Sequence, residues 1–196
     1  MKVIGFCGSP RKEGNSDLTL SAFLAGAEAA GAETKKIYLT DLELCGCDAC
    51  YVCRKTGDCH HNDDLAEIVR TLPDYDVWAL ATPVYWWSAS MPAKCFVDRL
   101  FSLCYGPNPK RVRGNKFVLI TASADPPREA TPHLKGAMKK SIDFLGLEWA
   151  GEIAVQALKK GEVKKNPEVL EKARKLGKKL AKGTTRKPGQ KPEKKA

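Results

Sequence analysis

Short, continuous apolar runs alternate along this chain with longer stretches whose apolar residues recur at helical spacing. Residues 2–7, KVIGFC, form the first run and end in turn-formers, GSPRKEGNS, the pattern of a buried strand feeding a loop and then a helix. That helix is predicted from about Ser16 or Asp17 to Ala30, with Leu18, Leu20, Ala22, Phe23, Ala27 and Ala30 apolar. Ser16 or Asn15 is placed to cap it, and Gly31 to stop it. TKKIY at 34–38 predicts a second strand. Asn62-Asp63-Asp64 reads as a helix N-terminus with acidic residues suited to the dipole, the helix ending at Pro73. DVWALA at 76–81 is a continuous apolar run after its leading Asp76, as a strand buried on both faces requires. A helix from about Pro92 to Cys104, a strand at 116–121, a loop SADPPRE and a helix through Phe144 follow. A fifth strand, 148–155, leads to a last helix from Pro167 with Val169, Ala173, Leu176 and Leu180 on one face. Five strands alternating with helices predict an α/β fold, a doubly wound five-stranded parallel sheet. In such sheets ligands bind at the carboxyl ends of the strands. The loops after the first, third and fourth strands are therefore expected to meet along one edge.

Length and charge refine this picture. A chain of 196 residues fits one domain, taken as 1–182, with a Pro/Gly/Lys-rich and disordered tail at 183–196. The formal net charge of +10 is not spread evenly. Residues 159–196 hold 15 Lys/Arg against 4 Asp/Glu, so residues 1–158 are close to neutral. A basic end of this kind reads first as a solvated helix face and tail, and second as a surface for nucleic acid or an acidic protein. No apolar run approaches the roughly 18 residues of a membrane span, and the N-terminus lacks the pattern of a secretory signal. The expectation is a cytoplasmic protein without a membrane partner.

In a reducing compartment, clustered cysteines are metal ligands or redox groups more often than disulfides. Five of the eight cysteines fall in CGCDACYVCRKTGDC at 45–59, an insertion after the second strand. Cys47, Cys50, Cys53 and Cys59 read C-x2-C-x2-C-x5-C, and four thiolates are what a cubane iron–sulfur cluster requires. Zinc is the competing metal, with His60 and His61 as alternative ligands. It more often takes two short pairs separated by a longer loop. Cys45 is an extra thiol, either spare or able to displace a neighbour as ligand. Cys7, Cys95 and Cys104 read as buried small hydrophobes.

Two loops carry further chemistry. GSPRKEGNS matches neither a Walker A pattern nor GxGxxG. It nevertheless gathers Ser9, Arg11, Asn15, Ser16 and the amides of a helix N-terminus, a set suited to a phosphate dianion. Thr82-Pro83-Val84-Tyr85-Trp86-Trp87-Ser88 places three aromatics in what reads as a loop, suited either to a planar heterocycle or to a subunit interface.

These two loops, with the cysteine stretch and Asp63-Asp64 and with the continuation TPVYWWSASMPAKCFVDR, resemble the flavodoxin-like NADPH-dependent FMN reductase superfamily. Within it they are most similar to the iron–sulfur flavoproteins, across roughly residues 1–160. The resemblance implies a flavodoxin-like fold with the FMN phosphate on Ser9, Arg11, Asn15 and Ser16. It implies the flavin ring against Pro83, Val84, Tyr85 and Trp86, with Thr121, Ala122 and Ser123 nearby. It further implies a [4Fe–4S] cluster on Cys47, Cys50, Cys53 and Cys59, and a homodimer or homotetramer in which that cluster lies near another subunit's FMN. The activity implied is electron transfer with a donor such as ferredoxin, an oxidoreductase reaction needing no catalytic side-chain acid, base or nucleophile. Lys172, Lys175, Lys178 and Lys179 are candidates to steer an acidic donor. Two alternatives stand beside this reading: a cluster-free NAD(P)H-dependent FMN or quinone reductase, and a zinc-containing nucleic-acid-binding module.

Overall fold

In the computed structural model, which describes residues 1–106 and 112–183, the apolar runs become strands. They are β1 (Lys2–Cys7), β2 (Glu33–Tyr38), β3 (Val77–Tyr85), the two-residue β4 (Ser88–Ala89), β5 (Lys116–Ser123) and β6 (Glu148–Gln156). β4 folds back antiparallel on β3, and the other five are parallel in the order β2-β1-β3-β5-β6. Counting only the parallel strands this is 2-1-3-4-5, the doubly wound flavodoxin-like arrangement, with the cysteines in the segment after β2. Residues 77–82 of β3 are buried on both faces, which explains why their run is apolar without alternation.

The helices are α1 (Asn15–Glu28), α2 (Val52–Thr56), α3 (Asp64–Thr71), α4 (Met91–Arg99), α5 (Pro127–Ala130), α6 (Pro132–Leu145) and α7 (Pro167–Ala181). On one face of the sheet Leu20, Phe23 and Ala27 of α1 and Ala173 and Leu180 of α7 pack on Val3, Ala79, Ile120 and Ile153. On the other face α3, α4 and α6 bring Leu65, Phe96 and Ile142 onto Ile4, Phe6, Trp78 and Phe117. α1 and α7 approach so closely that a Cβ on Gly26 or Gly177 would overlap the carbonyls of Arg174 or Phe23. Glycine is needed at that crossing because the two backbones touch.

Several expectations change. α1 begins at Asn15 behind an N-cap Gly14, and neither Asn15 nor Ser16 caps it. The helix predicted from Pro92 to Cys104 ends at Arg99, and the chain then tightens into a 3-10 turn over Leu100–Cys104. The segment SADPPRE contains the short helix α5. Cys7 is buried as expected, its thiol pushed up to about 11 mainly by that burial, but Cys95 and Cys104 are only half-buried. The basic tail from 184 lies outside the described residues. Among the described residues no helix is long and apolar enough to cross a membrane.

Candidate functional site

The carboxyl ends of β1, β3, β5 and β6 open onto a cleft of about 170 Å³. Ser9, Arg11, Asn15 and Ser16 form one wall, and Pro83, Val84, Tyr85, Ala122 and Ser123 form another. Sequence reasoning had named each of these. Ala124 and the Ala157–Leu158 segment complete the lining and were not foreseen. Trp86 stands in an adjoining cleft of about 200 Å³ that shares Val84, Ser123 and Ala124. Thr121 lies one residue below the edge, buried within β5, and lines neither cleft.

The phosphate-suited end of the cleft is built from the start of α1. With Gly14 at the N-cap there is no side-chain cap, and the first helical bond runs from Leu18 N–H to Gly14 O. The N–H groups of Asn15, Ser16 and Asp17 therefore take no partner among the described residues. They sit at the positive end of a 14-residue helix. The Ser9 hydroxyl accepts from Arg11 N–H at 3.2 Å, and Arg11 Nη1 donates to Leu158 O at 3.4 Å. Asn15 does more holding than its sequence position suggests. Its Nδ2 donates to Lys159 O at 3.0 Å while its Oδ1 accepts from Val163 N–H at 3.0 Å, tying α1 to the chain after β6. Open amides, a guanidinium and two hydroxyls fit the phosphate of FMN.

A buried hydroxyl network sets the distance between this loop and the aromatic segment. Ser90 Oγ donates to Gly8 O at 2.6 Å, and Ser90 N–H donates to Thr82 Oγ1 at 3.0 Å. A Cβ on Gly8 would press on Ala93 Cβ at 2.8 Å, so the loop lies directly on α4. Ser90 was missed in the sequence. Its position at the N-cap, with a proline in the first turn, was the available signal.

The aromatic segment is not a loop. Thr82–Tyr85 belong to β3, and Trp86 and Trp87 are the two turn residues of a hairpin pairing Tyr85 with Ser88 and Val84 with Ala89. Both tryptophans have left-handed backbones, φ 48° and 56°. Two-residue hairpin turns demand this, but Gly and Asn are the usual occupants, and bulky residues there are strained by about 1–3 kcal/mol each. Trp86 is nonetheless 88% exposed. A strained turn with an exposed indole thus stands beside the cleft.

The cysteine insertion folds as a small lobe around a second cavity, of about 280 Å³. Cys47, Cys50, Cys53 and Cys59 all line it, together with Asp48, Tyr51, His60 and Phe101. Left-handed backbones at Ala49 (φ 57°) and Tyr51 (φ 60°) bend the chain on both sides of Cys50. α2 ends in Gly57, which lies backbone against backbone on Gly106 of the body. All eight cysteines are free thiols. The Cys53 thiol is raised by its burial and by the neighbouring Cys59, Cys47 and Cys50, so the four groups sense one another. No three of these four sulfurs lie within 4.8 Å of each other among the described residues. A tetrahedral zinc thiolate site, with bonds of about 2.3 Å, would need them about 3.8 Å apart. A ring of four thiols around a larger space fits a cubane cluster better.

Cys45 stands apart. Its sulfur lies at a buried ion pair in which Arg99 Nη1 and Nη2 each donate to Asp63 at 2.8 Å. Asp63 also caps α3, accepting from Ala66 N–H at 2.9 Å, and accepts from Cys45 N–H at 3.2 Å. Burial alone would raise the Asp63 carboxyl, but the Arg99 guanidinium and these two N–H groups hold it well below the usual carboxylate range. Arg99 further donates to Cys45 O at 3.0 Å. The pair thus pins the first residue of the lobe to α3 and α4. Asp63 was legible as a helix cap, whereas its partner 36 residues onward was not.

Residues 1–145 match the family model described as NADPH-dependent FMN reductase. The chain is 32% identical over 181 residues to an iron–sulfur flavoprotein of Archaeoglobus fulgidus, covering 92% of this chain and 79% of that protein. It is 40% identical over 99 residues to an iron–sulfur flavoprotein of Methanocaldococcus jannaschii, a stretch covering about half of each (50% and 51%). Among solved structures it superposes on an NAD(P)H:quinone oxidoreductase from Methanothermobacter marburgensis with a TM-score of 0.74 at 16% identity, covering 95% of this chain and 99% of that one. An archaeal flavodoxin gives 0.59 at 12% identity, covering 92% and 96%. At those identities the likeness is one of fold.

Proposed function

The chain belongs to the NADPH-dependent FMN reductase family, and on that premise we propose that this oxidoreductase is an iron–sulfur flavoprotein passing electrons between a one-electron donor such as ferredoxin and an acceptor. FMN is the cofactor the family implies, and Cys47, Cys50, Cys53 and Cys59 are the proposed ligands of a [4Fe–4S] cluster. The carrying observation is that these four cysteines line one cavity while Cys7, Cys45, Cys95 and Cys104 do not. Together the two cofactors supply conversion between one- and two-electron transfer.

The chain's own residues bind and position. Arg11, Ser9, Ser16 and the open amides of α1 neutralise and orient a phosphate. The Thr82–Ser90–Gly8 network keeps that end at a fixed distance from Pro83 and Tyr85, against which the flavin ring would lie. Asp63 and Arg99 hold the cysteine lobe on the body. No side-chain acid, base or nucleophile is required by this reading. The two cavities share no lining residue within one chain, and Tyr85, Trp86, Trp87 and Met91 are all exposed. Both features support a homodimer or homotetramer in which the lobe of one subunit faces the cleft of another. Lys172, Lys175, Lys178 and Lys179 are all exposed on α7 and supply a positive face for an acidic donor.

Anaerobic purification followed by flavin, iron and acid-labile sulfide analysis tests the proposal. The expected result is FMN with about four irons per chain, lost in Cys47→Ser. Flavin without iron after careful reconstitution would refute the cluster and leave an NAD(P)H-dependent reductase using the same cleft.

A further inference from the structure

The wall of the cysteine cavity holds a second donor set that the four-thiolate reading does not use. Asp48, Cys50 and His60 bring one ligand atom each to within 4.8 Å of one another, the one such group of His, Cys, Asp or Glu among the described residues. His60 Nε2 lies 2.7 Å from Asp48 Oδ2. Cys50 N–H donates to Asp48 Oδ1 at 3.2 Å, so one carboxylate oxygen is anchored and the other faces the histidines. His61 packs against His60 with ring centroids 4.1 Å apart and planes tilted by 36°, and its Nε2 is 3.6 Å from Asp48 Oδ2. That nitrogen is buried and has no hydrogen-bond partner. A tetrahedral zinc ion on nitrogen, oxygen and sulfur places its ligand atoms about 3.3–3.6 Å apart, from bonds of about 2.0–2.3 Å. The group needs to close by no more than about 1.5 Å to reach that spacing, whereas no three of the four proposed cluster thiols are within 4.8 Å of one another.

We propose that, when the lobe lacks its cluster, Asp48, Cys50 and His60 bind a single divalent ion of the zinc class, with His61 Nε2, which is 3.6 Å from Asp48 Oδ2 but outside the three-atom group, turning in as the fourth donor. Binding releases the proton of the Cys50 thiol and moves no electron. Cys50 belongs to both ligand sets, so the two occupancies exclude each other and bound zinc blocks cluster assembly. That exclusion rests on the four-thiolate reading; the mononuclear site itself does not.

The test uses the full-length chain, stripped anaerobically of metal, titrated with zinc against a chromophoric chelator, and loaded in parallel with iron and sulfide. One zinc per chain is expected, weakened at least about tenfold by His60→Ala, Asp48→Asn or Cys50→Ser. Cys47→Ser should keep zinc affinity within about twofold while losing the iron. His60→Ala should do the reverse, keeping iron while losing zinc. Cobalt bound in place of zinc should show the absorption of a single thiolate ligand. Equal loss of zinc in Cys47→Ser, Cys53→Ser and Cys50→Ser would overturn the proposal in favour of a thiolate-only site, as would unchanged affinity in His60→Ala. Failure of the wild-type chain to take up iron and sulfide would instead strike the proposed function and leave the zinc arms readable.

Discussion

Replacing Asp63 by Asn probes the buried ion pair at the root of the cysteine lobe. Asn keeps the shape and an oxygen acceptor for the α3 cap, but removes the charge opposite Arg99. The Arg99 side chain is 1% exposed and that of Asp63 13%, and Arg99 Nε already lacks a partner. The guanidinium would then be left buried with no counter-charge, a situation that costs about 3–5 kcal/mol. For a domain of this size that corresponds to a fall in Tm of roughly 6–20 °C, at about 2–4 °C per kcal/mol. Reversible denaturation of Asp63→Asn beside the wild type measures it. The double variant Asp63→Asn/Arg99→Met removes both charges and should recover most of the loss. The pH dependence supplies a second check. Because the folded-state pKa of Asp63 is depressed, its contribution is complete above the ordinary value of about 3.9 and disappears as pH falls through the lower folded value. Wild-type stability should therefore drop more steeply below about pH 4 than that of Asp63→Asn. A cost under about 1 kcal/mol, or a double variant no better than the single, would refute the reasoning.

Three further outcomes follow from the geometry. Trp86→Asn should raise stability by about 1 kcal/mol in thermal melts, since Asn tolerates the left-handed turn, while acceptor reduction slows if the indole contacts the acceptor or a second subunit. Ser90→Ala leaves the Gly8 carbonyl without its buried donor, should cost about 1–3 kcal/mol, and should weaken FMN binding measured by fluorescence titration. Unchanged FMN affinity would show that the network does not set the cleft. Gly177→Ala forces α7 away from α1 and should destabilise by about 1–3 kcal/mol or more in urea, whereas the exposed Lys178→Ala should stay within about 0.5 kcal/mol.

The strands were readable because each is a local pattern. KVIGFC and DVWALA are continuous apolar runs after their first, charged residues, and burial on both faces of a parallel sheet accommodates that. The loops of the cleft were readable by position, since a doubly wound sheet must gather the ends of β1, β3 and β5. What misled was chemistry that serves two purposes. Asn15 reads as a helix cap or phosphate ligand; it lines the cleft but does not cap α1, and its side chain also ties α1 to residues 159 and 163. Tyr85-Trp86-Trp87 looked like a loop because no propensity favours two tryptophans in a left-handed turn.

By itself, then, the order of residues determined the layered α/β fold, the phosphate-suited turn and the spacing of four thiols. Each follows from periodicity or from neighbours a few positions apart. Tertiary structure alone decided that Arg99 meets Asp63 and that Cys45 stands at that pair rather than in the cavity. It also decided that His60 meets Asp48. These contacts depend on how α3, α4 and the cysteine lobe pack. A buried charge must find its counter-charge wherever packing brings one, and sequence separation places no limit on that.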